Sequence, residues 1–212
     1  MLDDMILYHG SRGGIVGEII PSSLSRCDFG KGFYMGRNPH QAKALVASDE
    51  NPYFYELKLH LSEIPDSQIL SLKEMEWAYF VLFHRGKLES VRGTPFYDYY
   101  ENLDEGKDLI IGPTVVDILA LVMSRFANNE ITDKALIESL RKLKYGMQYV
   151  AKTDFACSKV KILSEYLLDE AETIPLLMQS AENRRLGEEI IKNISRKYRR
   201  DGNYFDEILN SI

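Results

Sequence analysis

The chain has 212 residues, of which 45% are hydrophobic, 11% aromatic and 27% charged; such a composition can bury a core and excludes disordered, collagen-like and coiled-coil classes. Lys and Arg number 26 against 32 Asp and Glu, for a formal charge of −6, which argues against a constitutive polyanion binder. Two cysteines, Cys27 and Cys157, and four histidines supply neither a disulfide framework nor the paired spacing of a zinc site. Free thiols in a reducing compartment, and no metal, are therefore expected.

Asp3 and Asp4 precede the first apolar stretch, and no run reaches the ~20 apolar residues of a membrane span. A cytoplasmic protein with no membrane partner is expected. Met5 to Tyr8 reads as a short buried strand ended by the glycine-rich turn Gly10-Ser11-Arg12-Gly13-Gly14. Ser22 to Gly36 holds few periodic apolar residues and reads as an ordered loop. Asn38-Pro39 reads as a helix start, Asn as N-cap and Pro at the first helical position, with Ala42, Leu45 and Val46 on the apolar face. Tyr53, Tyr55, Leu57 and Leu59 alternate with other residues, as a half-buried strand does.

Ser71 to His84 has helical spacing, with Gly86 just past its end. Phe96 to Tyr100 reads as a packed aromatic loop, since the acids around it would repel phosphates. Asp108 to Pro113 reads as a buried strand, Val115 to Phe126 and Thr132 to Tyr145 as helices with Gly146 as a stop, and Gln148 to Lys152 as a strand. Ser158 to Leu168 has helical spacing. From Arg184 to Arg200, seven basic residues face only Glu188 and Glu189. The expected organisation is an α+β domain over residues 1–168, followed by a helical, locally basic extension over 169–212.

Two segments carry chemistry: Leu7-Tyr8-His9-Gly10-Ser11-Arg12, and Asp28-Phe29-Gly30-Lys31-Gly32-Phe33-Tyr34-Met35. In this order they resemble the nicotinamide-binding signature of the ADP-ribosyltransferases, in the poly(ADP-ribose) polymerase and diphtheria-toxin branch. The wider chain, over about residues 5–165, resembles small, largely uncharacterised bacterial domains of that superfamily. Glu76-Trp77 through His84-Arg85, Ile111-Gly112-Pro113 with Asp117, and Gln148-Tyr149 carry that wider likeness. The fold that the resemblance implies is a split mixed β-sheet with flanking helices.

The implied activity is NAD⁺-dependent mono-ADP-ribosylation of a macromolecular acceptor, whether protein, RNA or DNA. A toxin or phage-defence role comes with it, and an antitoxin as partner. NAD⁺ would be the co-substrate, with no metal. By resemblance, His9 contacts ribose, Gly10 grips the carboxamide, Ser11 supports the turn, and Tyr34 packs on the nicotinamide ring. Phe29, Gly32 and Phe33 belong to the same binding segment, and Lys31 or Arg12 would reach the pyrophosphate. Catalytic roles fall to His9, Tyr34 and Gln148.

Such roles have physical reasons. Cleavage of the glycosidic bond leaves an oxocarbenium-like ribose, which preorganised dipoles or charges must stabilise. A neutral imidazole offers one donor and one acceptor to hydroxyls, and an aromatic ring attracts the pyridinium. The sequence departs from the family pattern at three places. Gln148 stands where the family has a glutamate, and Ala42 and Leu45 stand where the polymerases have Ser and Tyr. A missing carboxylate argues against polymer elongation. It also keeps open an inactive NAD⁺ or ADP-ribose sensor, or an interaction module whose working part is the tail. Each motif residue has a plain structural reading beside the functional one: His9 as a buried, hydrogen-bonded histidine, Tyr34 as a core aromatic, Gln148 as a surface residue at a strand edge.

Overall fold

The computed structural model of the chain describes residues 3–114, 117–143 and 146–212. It divides into two compact units interleaved along the chain: residues 1–72, 106–114 and 146–181 form one, and residues 73–105, 115–145 and 182–212 the other. None of the five junctions between the units falls at residue 168. The fold class is α+β.

The first unit is built on a seven-stranded mixed sheet in the order β4-β5-β6-β2-β1-β3-β7. Its strands are β1 (Met5–Ser11), β2 (Phe33–Gly36), β3 (Tyr53–Leu59), β4 (Ile69–Ser71), β5 (Leu109–Pro113), β6 (Met147–Ala151) and β7 (Val160–Leu167). Only β4 and β5 run parallel; the other neighbours are antiparallel. Alternation along the strands sorts side chains between two faces. Leu7, Phe33, Met35, Tyr55, Leu57, Tyr149 and Ala151 share one core. Phe54, Ala42 of the following helix and Val46 in the turn after it share another, to which Tyr8 packs.

Helix α1 (Pro39–Ala44) starts where Asn38-Pro39 predicts. Asn38 Oδ1 accepts from His40 N at 3.0 Å and Gln41 N at 3.4 Å, satisfying two of the free N–H groups of the first turn. α1 then lies close against β1: a Cβ on Gly10 would collide with the carbonyl of Ala42 and touch Val46. The glycine is required by that close approach.

Several expected elements differ. β2 emerges from the segment read as loop, because Phe33 and Met35 are buried and pair through β6 (Phe33↔Ala151, Met35↔Tyr149). The segment read as a helix over Ser158–Leu168 is short helix α6 (Asp154–Ser158) followed by strand β7. Val160, Leu163 and Leu167 mimic helical spacing, yet Leu57↔Ile162 and Glu56↔Ser164 pairing around a bulge at Glu56/Leu57 holds them extended. Ile69–Ser71 is likewise strand, and the following helix α2 begins at Glu74.

The second unit is helical: α2 (Glu74–His84), α3 (Pro95–Asn102), α4 (Asp117–Ala127), α5 (Asp133–Lys142), the later part of α7 (Glu170–Lys197) and α8 (Phe205–Asn210). The aromatic run expected as loop is helix α3, because Thr94 Oγ1 caps Tyr97 N at 3.3 Å and Pro95 fits the first turn. Tyr79 packs against Phe96, Tyr100 and Phe126 at 5.2, 5.7 and 6.3 Å between ring centroids, and Phe126 against Phe205 at 5.2 Å. Val115 and Tyr145, named as helix ends above, lie outside the described residues. No helix of the described residues is long and apolar enough to cross a membrane.

Candidate functional site

β1 and β2 share the residue pair Tyr8↔Gly36. Toward Ser11 and Phe33 no further pair holds the two strands, and the side chain of His9 spans the gap instead. Its Nδ1–H donates to the Tyr34 carbonyl at 2.7 Å. A carbonyl only accepts, so this bond selects the tautomer with the proton on Nδ1 and leaves the Nε2 lone pair to accept from something else. Burial lowers the His9 pKa from its ordinary 6.5; the bond to Tyr34 pulls weakly the other way. The imidazole is thus neutral at pH 7. Its ring lies 4.6 Å from Phe33 and 6.1 Å from Tyr55 between centroids, which fixes its orientation.

Tyr34 faces away from the Phe33–Met35 core. Its hydroxyl accepts from Phe29 N at 2.9 Å and donates to the Gly30 carbonyl at 2.8 Å, and burial pushes its pKa upward. The phenol therefore ties the Gly-Lys-Gly loop to β2. Ser23 Oγ adds bonds to Gly32 N at 2.9 Å and the Gly30 carbonyl at 3.3 Å, and Lys152 Nζ donates to the Phe29 carbonyl. Gly30 has φ +70, open to glycine at little cost, and a Cβ on Gly32 would collide with Val150. The rings of Phe29 and Phe33 are both buried. Ser11 Oγ donates to the Gly14 carbonyl at 3.2 Å, and Arg12 pairs with Asp49 at 3.3 Å while staying largely exposed.

Gln148 lies on the same face of the sheet as Tyr34, between two cross-strand glycines, Gly36 and Gly112. It is 5% exposed, and its Nε2 donates to the Pro113 carbonyl at 3.1 Å. A Cβ on Gly36 would find its nearest neighbour, the Met147 carbonyl, at 4.0 Å, so that flank has room. Of the departures from the polymerase pattern, Ala42 is buried with its carbonyl over Gly10, and Leu45 is exposed.

Two residues were not singled out by the sequence. Gln41 Nε2 and Thr114 Oγ1 are buried without a hydrogen-bond partner. Neither belongs to a recognisable motif. Thr114 follows Gly-Pro at a strand end, and Gln41 sits in the first turn of a short helix; only the tertiary fold gives them a shared place. Among the described residues no group of His, Cys, Asp and Glu could hold a metal ion, and Cys27 and Cys157 are both free thiols.

No curated protein and no solved structure matches this chain. A family model described as a protein of unknown function, DUF3990, matches residues 5–162, a span that includes His9, the Gly-Lys-Gly loop, Tyr34, Gln41, Thr114 and Gln148. The chain therefore belongs to the DUF3990 family.

Proposed function

We propose that this protein is an NAD⁺-dependent mono-ADP-ribosyltransferase. One observation carries the reading beyond the motifs: His9 is held neutral, in a single tautomer, across the parted ends of β1 and β2. A preset acceptor at Nε2 suits a ribose hydroxyl, and orienting that sugar is worth more in the transition state than in solution. When the C1′–N bond breaks, its electron pair passes to the pyridinium nitrogen. Neutral nicotinamide leaves, and positive charge develops on the ribose. Gln148, which leaves the sheet on the face opposite the His9 ring, brings an amide and no carboxylate to the parted strands, so transfer should be slow and should stop at one unit. The proposed setting is the cytoplasm, where NAD⁺ is available and free thiols persist, with a macromolecular acceptor as in bacterial effectors.

Nicotinamide release from labelled NAD⁺, with and without a cell lysate, tests this directly. The expected result is release and label transfer by the wild type, reduced about 10²–10³-fold in His9→Ala. Equal activity in the two proteins would refute it. A second reading, an NAD⁺ sensor without turnover, is favoured by the burial of Gln148 and its bond to Pro113. It predicts thermal stabilisation by NAD⁺, lost in His9→Ala, with no nicotinamide released.

A further inference from the structure

Thr114 N–H donates to the Gly146 carbonyl at 2.9 Å, extending the β5–β6 ladder one pair beyond Pro113↔Met147. Thr114 and Gly146 thus stand two residues along their strands from Gly112 and Gln148, on the same face of the sheet. Gln41 reaches this place from α1: a Cβ on Gly146 would come within 2.5 Å of Gln41 Oε1 and 3.7 Å of Thr114 Oγ1. The absence of a side chain at residue 146 therefore lets an amide and a hydroxyl converge. Both bring an unpartnered buried atom, Gln41 Nε2 and Thr114 Oγ1, and Thr114 is only 9% exposed. Buried polar atoms left without a partner are uncommon and costly. Two of them, carried by side chains that flank Gly146 on the face Gln148 shares, mark a place where a ligand group completes the hydrogen bonding.

The chemistry of that group follows from the atoms that wait for it. Gln41 Nε2–H needs an acceptor, whereas Thr114 Oγ1 can accept or donate. A hydroxyl satisfies both at once, taking the amide N–H on a lone pair and giving its own proton to Thr114. A guanidinium or ammonium has donors only and would leave Gln41 unsatisfied. A carboxylate or thiolate would bring a charge to a shelf whose own groups, Gln41, Thr114 and Gln148, are all neutral, and burying an unpaired charge is expensive.

We propose that the Gln41–Thr114 shelf beside Gln148 seats the nucleophile of the transfer reaction, and that this nucleophile is an uncharged hydroxyl oxygen. The inference rests on the transferase reading above and specifies its acceptor class. In the step itself, an oxygen lone pair forms the bond to C1′ after the C1′–N pair has left with nicotinamide. The resulting oxonium is strongly acidic and gives its proton, along the hydrogen bond to Thr114 Oγ1, to solvent water. Water and an alcohol share this chemistry, so one shelf accounts for hydrolysis and for transfer to a hydroxyl-bearing acceptor.

Partitioning of the ADP-ribosyl group tests the assignment. The full chain is incubated with NAD⁺ in water, in dilute methanol, and with agmatine as a guanidinium probe, and products are separated by mass. The expected products are ADP-ribose and its O-methyl glycoside, with no agmatine adduct. Gln41→Ala and Thr114→Val should each lower formation of both products about tenfold, the scale of one lost hydrogen bond, while NAD⁺-induced thermal stabilisation is retained. An agmatine adduct formed at a rate comparable to methanolysis would overturn the acceptor class and leave the transferase reading standing. Unchanged product formation in both variants, accompanied only by altered thermal stability, would make the shelf a structural water site. Absence of nicotinamide release from the wild type would remove the transferase reading and this inference with it.

Discussion

The sheet unit and the helical unit both pair charges on the surface, but they differ in how their buried polar groups are satisfied. In the helical unit, charged side chains pair on the surface: Arg184 with Glu188 at 3.5 Å, Arg185 with Glu182 at 2.8 Å, Lys134 with Asp201, and Arg141 with Glu138 at 2.9 Å. Its interior is rich in rings, and the hydroxyls of Thr132 and Ser139 buried there donate to the carbonyls of Tyr198 and Ala135. In the sheet unit, polar side chains stand inside the fold: His9 across a strand gap, Gln148 at 5% exposure, and Gln41 and Thr114 with unpartnered atoms. Packing explains the first pattern, since surface pairs add little and buried rings add much. It does not explain the second, because every buried polar atom without a partner costs stability. The difference teaches where function lies: a fold tolerates such costs at sites that receive a ligand.

That contrast can be broken most forcefully in the helical core. Phe126→Ala removes a fully buried ring in contact with Tyr79 and Phe205, and should cost about 3–5 kcal/mol, read as a lower midpoint of chemical denaturation. A loss below about 1 kcal/mol would mean that the ring cluster is not the core it resembles. In the sheet unit, Tyr34→Phe deletes the hydroxyl that joins Phe29 N to the Gly30 carbonyl. The expected cost is about 1–3 kcal/mol, together with faster proteolysis within residues 22–32. Unchanged cleavage there would show that Ser23 and Lys152 hold the loop without the phenol.

The pH dependence sharpens the comparison further. Burial lowers the folded-state pKa of His9 below its ordinary 6.5. Between the two values the unfolded chain binds the extra proton and the folded one does not, so folding loses stability as pH falls. The stability from the neutral imidazole is complete above about pH 6.5 and declines below it until the folded pKa is reached. His9→Gln should flatten this slope, and matching curves for the two proteins would place the titration elsewhere. Nicotinamide release should fall only at the lower end of that range, around the folded-state pKa, where Nε2 becomes a donor. The smallest effect belongs to the basic helix face. Arg185 pairs with Glu182 in the open, so Arg185→Ala should leave the melting temperature unchanged in 0.15 M salt.

Much of this architecture was legible along the chain. Asn38-Pro39 announces α1 because a cap and a fixed φ act within four residues. Tyr53 to Leu59 announces β3 through a period of two. Elsewhere the local spacing is ambiguous. Val160 to Leu167 carries apolar residues at both periods, and a bulged pairing with β3 decides between them. Phe33 to Gly36 is too short to show a period, and its strand exists because β6 lies beside it. For the candidate site, His9 and the Gly-Lys-Gly loop were visible as motifs, whereas Gln41 and Thr114 were not, since neither lies near the other in sequence.

By itself, then, the sequence determined the first strand that leads into His9, the glycines of the Gly-Lys-Gly loop, and the neutrality of residue 148. These are properties of local conformation and side-chain chemistry. Only the tertiary structure decided which tautomer His9 adopts, that Tyr34 ties the loop through its hydroxyl, and that an amide from α1 meets a threonine from the end of β5. Each of these depends on a hydrogen bond made, or left unmade, between residues that the chain brings together only when the sheet has formed.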